Sequence, residues 1–270
     1  MSVQRETGAA MVEGGELRFE RAGTGPVVVF VHGNFVDARM WDPQFDEFAR
    51  GFTAVRYDLR GFGGSPLAVG PYAHHGDLRA LLAQLGQGRA HLIGLSLGGE
   101  IVLETALEFP DLAASLVVVP GSALESEPWM DEGWEAIGVA VRGHDHLRAR
   151  QTVMGFPPMR SLEARPDVRD SIAHMVDAYP WQHFEVNESY LWVDPPAMER
   201  LSEIRCPTLV LHGALDDPSF LDAGAFIARE VPGSRRIVIP DAGHMVNMEA
   251  PAAFNQAVRG FITETQANLR

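Results

Sequence analysis

The run Pro26-Val-Val-Val-Phe-Val-His32 limits the fold more than any other stretch of the chain. Apolar, mostly β-branched residues in unbroken succession suit a strand buried on both faces. Parallel sheets with helices on both sides provide that environment, because parallel strands need a long crossover, usually helical. The rest of the first half keeps this rhythm. Residues 17–22 read as an early strand, and residues 52–58 as another, closed by the turn-rich Arg60-Gly-Phe-Gly-Gly-Ser-Pro66. Leu78, Leu81, Leu82 and Leu85 then share one helical stripe, punctuated by Gly86 and Gly88. Residues 91–96 form a strand that runs into a sharp turn. The helix after it carries Ile101, Leu103, Ala106 and Leu107 and stops at Pro110, and residues 116–119 are the next strand. The expected fold class is α/β: a mostly parallel central sheet flanked by helices.

From 122 to 200 the alternation is lost. Prolines fall at 128, 157, 158, 166, 180, 195 and 196, with short helical stretches at 129–141 and 168–178 and many aromatic and methionine residues. That composition predicts a small helical insertion with its own core. Strands return at 208–212 and 236–240. The last helix bears Phe254, Ala257, Val258, Phe261 and Ile262 on one stripe, with Pro251 in its first turn. The expected domains are a core of residues 1–121 and 201–270 and a helical cap of residues 122–200, within the size one 270-residue chain can support.

A net charge of −14 repels phosphate backbones and anionic headgroups, so neither nucleic acid nor a membrane surface is an expected partner. No apolar run is long enough to span a bilayer. The opening MSVQRETGAAMVEGG has no basic segment followed by an apolar one, so no leader and a cytoplasmic location are expected. Cys206 is the single cysteine, which rules out an internal disulfide and reads as a small core residue. Oligomeric state is open.

The chemistry centres on Gly94-Leu-Ser96-Leu-Gly98, a G-x-S-x-G motif between a strand and a helix. A serine on such a tight turn needs strained backbone angles, and glycine two residues to either side removes Cβ atoms that would clash. The turn lifts the hydroxyl away from the backbone, with a helix N-terminus beneath any developing oxyanion. A serine nucleophile needs a base, and the base an orienting acid. His244 follows the last strand, in Pro240-Asp-Ala-Gly-His244. Asp216 and Asp217 follow the strand at 208–212, and either supplies a carboxylate between serine and histidine in chain order.

Along nearly its whole length the sequence resembles the α/β-hydrolase family, in particular its serine carboxylesterases and enol-lactone hydrolases. His32-Gly-Asn34 resembles the oxyanion-hole motif, Gly213-x-x-Asp216 the acid motif and Gly243-His244 the histidine loop; the turn Asp58-Leu-Arg-Gly-Phe-Gly-Gly-Ser65 is also typical. The resemblance implies Ser96 as nucleophile, His244 as base and Asp216 as orienting acid. It implies oxyanion donors at the N–H groups of Leu97 and Asn34, with Phe35 as the alternative to Asn34. Phe35, Met245, Trp129 and Phe156 are the expected substrate-binding residues, and neither cofactor nor metal is implied. Dehalogenases and epoxide hydrolases of this fold carry an aspartate nucleophile, so Ser96 points to acyl transfer to water on a small, largely apolar ester or lactone. Arg39-Met-Trp-Asp-Pro-Gln44 and Gly243-His-Met-Val-Asn-Met-Glu-Ala-Pro251 are similar to the enol-lactone hydrolases and small carboxylesterases. Alternatives are a carbon–carbon bond hydrolase, though Met245 stands where that class usually has a tryptophan, a perhydrolase or haloperoxidase-like enzyme, and a ligand-binding receptor without turnover.

Other polar residues are expected to play supporting parts. His32 supports its turn. Asp58 and Arg60 fasten theirs through local hydrogen bonds. His74-His75 and His144-Asp-His146 are expected to be solvated, and Glu100 to be an exposed helix residue.

Overall fold

The computed structural model describes residues 5–67, 70–121, 123–125, 127–186 and 190–268. Residues 1–4 and Ser122, at the expected start of the insertion, lie outside that set. Eight strands of the described residues form one sheet: β1 (Arg5–Val12), β2 (Gly15–Ala22), β3 (Val27–Val31), β4 (Thr53–Tyr57), β5 (Ala90–Leu95), β6 (Ala113–Val119), β7 (Thr208–Gly213) and β8 (Arg235–Ile239), in the order β1-β2-β4-β3-β5-β6-β7-β8. β1 and β2 pair antiparallel, and β2 joins β4 antiparallel; every pairing from β4 to β8 is parallel. All residues of β3, β5, β6 and β7 are buried, which is what their unbroken apolar runs require.

Among the described residues nine α-helices accompany the sheet: α1 (Asp42–Phe48), α2 (His74–Gln84), α3 (Leu97–Glu108), α4 (Pro128–Arg142), α5 (His146–Met154), α6 (Pro166–Ala178), α7 (Pro218–Glu230), α8 (Val246–Glu249) and α9 (Pro251–Asn268). α4 to α6 lie in the stretch between β6 and β7 where the sequence shows no buried strand. Pro128, Pro166, Pro218 and Pro251 each open a helix, where the missing N–H is of no consequence. α2 packs against α3, and α1 against α9.

The strand order fixes where a site can form. The chain steps from β3 outward to β4 and then returns to β5 on the other side of β3. At such a reversal the loops leaving neighbouring strands diverge and open a crevice at their carboxyl ends. Register aligns those ends: Val31 is opposite Gly94, Leu95 opposite Val119, and Gly213 opposite Ile239. The loops after β3, β5, β6, β7 and β8 therefore meet on one edge.

Candidate active site

Ser96 holds φ +58° and ψ −121°, a conformation costly for any residue with a side chain. The surroundings enforce it. Ser96 N–H donates to Val119 O at 2.9 Å, and Ser96 O accepts from Gly99 N–H at 2.7 Å. A Cβ on Gly94 would strike the Gly98 carbonyl, and one on Gly98 the Val31 carbonyl, so both glycines are required by close backbone approach. Gly121, past the end of β6, faces Ser96 so closely that a methyl group there would collide with its Cα.

His244 and Asp216 reach the same edge from the loops after β8 and β7. Their side chains are 6% and 0% exposed, and His244 Nδ1 lies 3.0 Å from Asp216 Oδ2. The other carboxylate oxygen, Oδ1, accepts the Asp217 N–H at 2.7 Å. Asp217 itself caps α7, accepting from Ser219 N–H at 3.1 Å and Ser219 Oγ–H at 2.6 Å. It is thus Asp216 that touches the imidazole. Burial opposes charging of His244, but the Asp216 carboxylate, by charge and hydrogen bond, outweighs it, helped by Glu249 and Asp217. The imidazole titrates above its ordinary value.

Glu249, whose side chain is fully buried, anchors the histidine loop from the last turn of α8. It accepts from Gly243 N–H at 3.0 Å and Met245 N–H at 3.1 Å, the two residues flanking His244. Ser161 Oγ–H donates to it at 3.1 Å, and Arg165 Nε lies 3.5 Å away. Asn247 in the same loop donates to Met40 O at 2.9 Å and to Gln44 Oε1 at 3.2 Å. The two stretches similar to enol-lactone hydrolases are therefore physically joined.

Ser96, His244, Asn34, Phe35, Trp129, Phe156 and Met245 all line one cavity of about 80 Å3. Leu97, whose N–H begins α3, does not line it. Phe35, at φ +62°, packs against Trp134 at 5.1 Å and Tyr179 at 5.6 Å between ring centroids, bringing the loop after β3 against the helical insertion.

The alpha/beta hydrolase family model matches residues 28–257. The chain belongs to this family. It is 30% identical over 252 residues to the pimeloyl-acyl-carrier-protein methyl ester esterase of Aeromonas salmonicida (strain A449), covering 90% of this chain and 98% of that one. A thermophilic esterase from Thermogutta terrifontis superposes with a TM-score of 0.82 at 30% identity, covering 97% of this chain and 99% of the other. The enol-lactonase from Burkholderia xenovorans LB400 gives 0.81 at 26% identity over 95% and 100% of the two chains. The protein is an α/β-hydrolase, similar to esterases and lactonases.

The remaining polar residues of this hydrolase divide into those read correctly and those not. His32 supports its turn: buried, it donates from Nδ1 to Gly33 O at 2.8 Å and accepts the Leu59 N–H on Nε2 at 2.9 Å. Asp58 does fasten its own turn, accepting from Gly64 N–H at 2.8 Å, and also from Ala38 N–H at 2.9 Å. Arg60 instead reaches away from it, forming a buried bidentate pair with Asp77 at 2.6 and 2.5 Å. His74 and His75 are not solvated. His74 is 2% exposed, and His75 donates to Glu104 Oε2 at 2.9 Å. Nor is Glu100 exposed: burial, then the neighbouring Glu104, push its carboxyl up to about 8. His144 and His146 are exposed as expected. Cys206 is a buried free thiol, pushed up to about 11 by desolvation. Among the described residues no His, Cys, Asp or Glu cluster could hold a metal, and no helix is long and apolar enough to cross a membrane.

Three residues at the site were missed in sequence. Phe220, 4.9 Å from the His244 ring, and Gly121 carry no motif signal. Glu249 does: it is the only carboxylate of Gly243-His-Met-Val-Asn-Met-Glu-Ala-Pro251.

Proposed function

We propose that this α/β-hydrolase is a serine esterase or lactonase, acting through an acyl-enzyme on Ser96 with His244 and Asp216 completing a triad. The observation that carries the reading is the buried 3.0 Å contact of His244 Nδ1 with Asp216, in a cavity that also holds Ser96 on its strained turn. With Nδ1–H donating to Asp216, the Nε2 lone pair is free to act as base. Ser96 Oγ attacks the carbonyl carbon while its proton passes to Nε2. The tetrahedral oxyanion is held by the N–H groups of Asn34 and Leu97. The carbon–oxygen bond then breaks, and the departing alkoxide takes the proton from Nε2. A water molecule repeats the sequence on the acyl-enzyme, releasing the acid and restoring Ser96. Phe35, Met245, Trp129 and Phe156 form the walls, residues 122–200 act as the cap, and the substrate is a small uncharged ester or lactone met in the cytoplasm.

The leaving oxygen must lie within reach of Nε2, so the alcohol portion occupies the cavity beside His244. That space, about 80 Å3, holds a few heavy atoms. Methyl butyrate is expected to be hydrolysed at least about tenfold faster in kcat/KM than hexyl butyrate, as followed by acid release in a pH-stat. Absence of hydrolysis of any simple ester would count against the proposal.

Because His244 works as the neutral base and its folded value is raised, kcat/KM falls on the acid side with a midpoint above about 6.5. Glu249→Gln removes one of the charges that raise it and presents an amide N–H to a backbone donor. The midpoint is expected to move to lower pH and kcat to drop about tenfold. A fall in kcat with an unmoved midpoint would refute the electrostatic part of that role.

A further inference from the structure

The histidine loop is held in part from outside the sheet. Glu249 accepts the Gly243 and Met245 N–H groups, but its other two partners, Ser161 and Arg165, belong to the helical insertion. The Arg165 guanidinium also donates to Asp241 O, so one side chain grips both ends of the loop that carries His244. We propose that Arg165 and Ser161 are positioning residues for His244, a role that rests on the function proposed above: the segment of the insertion that walls the cavity also sets the base.

Burial makes both partners necessary. The Glu249 side chain is fully buried, and a carboxylate taken out of water is stable only where its charge and lone pairs are answered. Two backbone N–H groups meet part of that need. The Ser161 hydroxyl, 3.1 Å from Oε1, and the Arg165 guanidinium, 3.5 Å from Oε2, meet the rest. Without them the carboxylate would have to take a proton or turn toward water. Either change weakens its hold on the two N–H groups that flank His244.

Close packing agrees with this role. The backbone of Gly243 is not left-handed, so its conformation does not demand glycine. A Cβ at position 243 would instead collide with Ser161 Oγ and Cβ. The glycine before His244 is what lets the insertion rest directly on the loop backbone. Ser161 stands in the 3-10 helix Pro157–Ala164, whose Pro158 and Met159 line the cavity, with Phe156 just before it and Arg165 just after. Leu162, fully buried, pins the same helix into the core. Cavity wall and loop grip are thus parts of one short element, and a shift of the wall is carried through Ser161, Arg165 and Glu249 to the imidazole.

The test compares Arg165→Leu, Arg165→Lys and Ser161→Ala on methyl butyrate. Arg165→Leu is expected to lower kcat at least about tenfold with KM within about twofold of wild type, because Leu162 keeps the wall packed while the base loses its hold. Arg165→Lys, which restores the charge, should recover most of that loss, and Ser161→Ala should cost about threefold in kcat. In a Glu249→Gln background Arg165→Leu should cost less than about twofold more, because its path to His244 is already gone. An unchanged kcat, a loss confined to KM, no rescue by lysine, or losses that multiply in the double variant overturns the proposal. Should the wild type hydrolyse no ester, the reading of Ser96 fails separately, and the grip is judged by amide hydrogen exchange of the peptide 240–250. Exchange about tenfold faster in Arg165→Leu and slow again in Arg165→Lys supports it; unchanged exchange overturns it. If Arg165→Leu does not fold, Ser161→Ala takes its place in both measurements.

Discussion

Ser96→Ala is expected to lower kcat for methyl butyrate by at least about 10⁴-fold while leaving the fold intact. The loss is large because removing the hydroxyl removes the covalent route altogether; His244 and the oxyanion donors could then assist only direct attack by water. The fold should survive because alanine keeps the Cβ that already tolerates φ +58°, and the glycines and backbone hydrogen bonds that hold the turn are untouched. A change in Tm of no more than a few degrees is expected. Full activity in the variant would mean another nucleophile. A wild type that binds esters but turns over none would mark a binding protein on a hydrolase scaffold, a function the same cavity could serve.

What could be read from the chain beforehand followed from local pattern. Val27–Val31 and Thr208–Gly213 are buried on both faces and show it as unbroken apolar runs, so position and sheet type were both visible. The turn at Ser96 was visible because close backbone approach demands glycine at 94 and 98, and those glycines stand in the sequence. β1 was not: Arg5-Glu-Thr-Gly-Ala-Ala-Met-Val is largely exposed at the sheet edge, and only its pairing with β2 makes it a strand. The errors at His74, His75 and Glu100 share a cause. On a helix viewed alone these residues face water, but Tyr190 and Val193, almost 90 residues away from Glu104, cover them and hydrogen-bond that carboxylate at 3.2 and 3.1 Å. Arg60 was misread for the same reason, since its partner Asp77 lies on the next helix and not in its own turn. A polar residue's burial depends on what the fold lays over it, which hydrophobic periodicity does not encode.

The adjacent carboxylates give the sharpest contrast available with single-atom changes. Asp216→Asn is expected to cost about 10⁴-fold in kcat, and Asp217→Asn less than about threefold. At position 216 the amide has little choice of orientation. Oδ1 accepts the Asp217 N–H at 2.7 Å, so the amide oxygen belongs there and the NH2 group must face His244. An NH2 facing Nδ1 makes Nδ1 an acceptor and moves the ring proton to Nε2, the nitrogen that has to take the proton from Ser96. Geometry is preserved and the base is lost. The imidazolium also loses its counter-charge, so the acid limb of any residual rate should shift to lower pH. At position 217 asparagine keeps the oxygen that accepts from Ser219 N–H, and asparagine caps helices about as well as aspartate, so stability should change by less than about 1 kcal/mol. Steady-state rates on methyl butyrate with Tm for each variant decide the matter. Equal losses, or the larger loss at 217, would remove Asp216 from the mechanism despite its contact with His244.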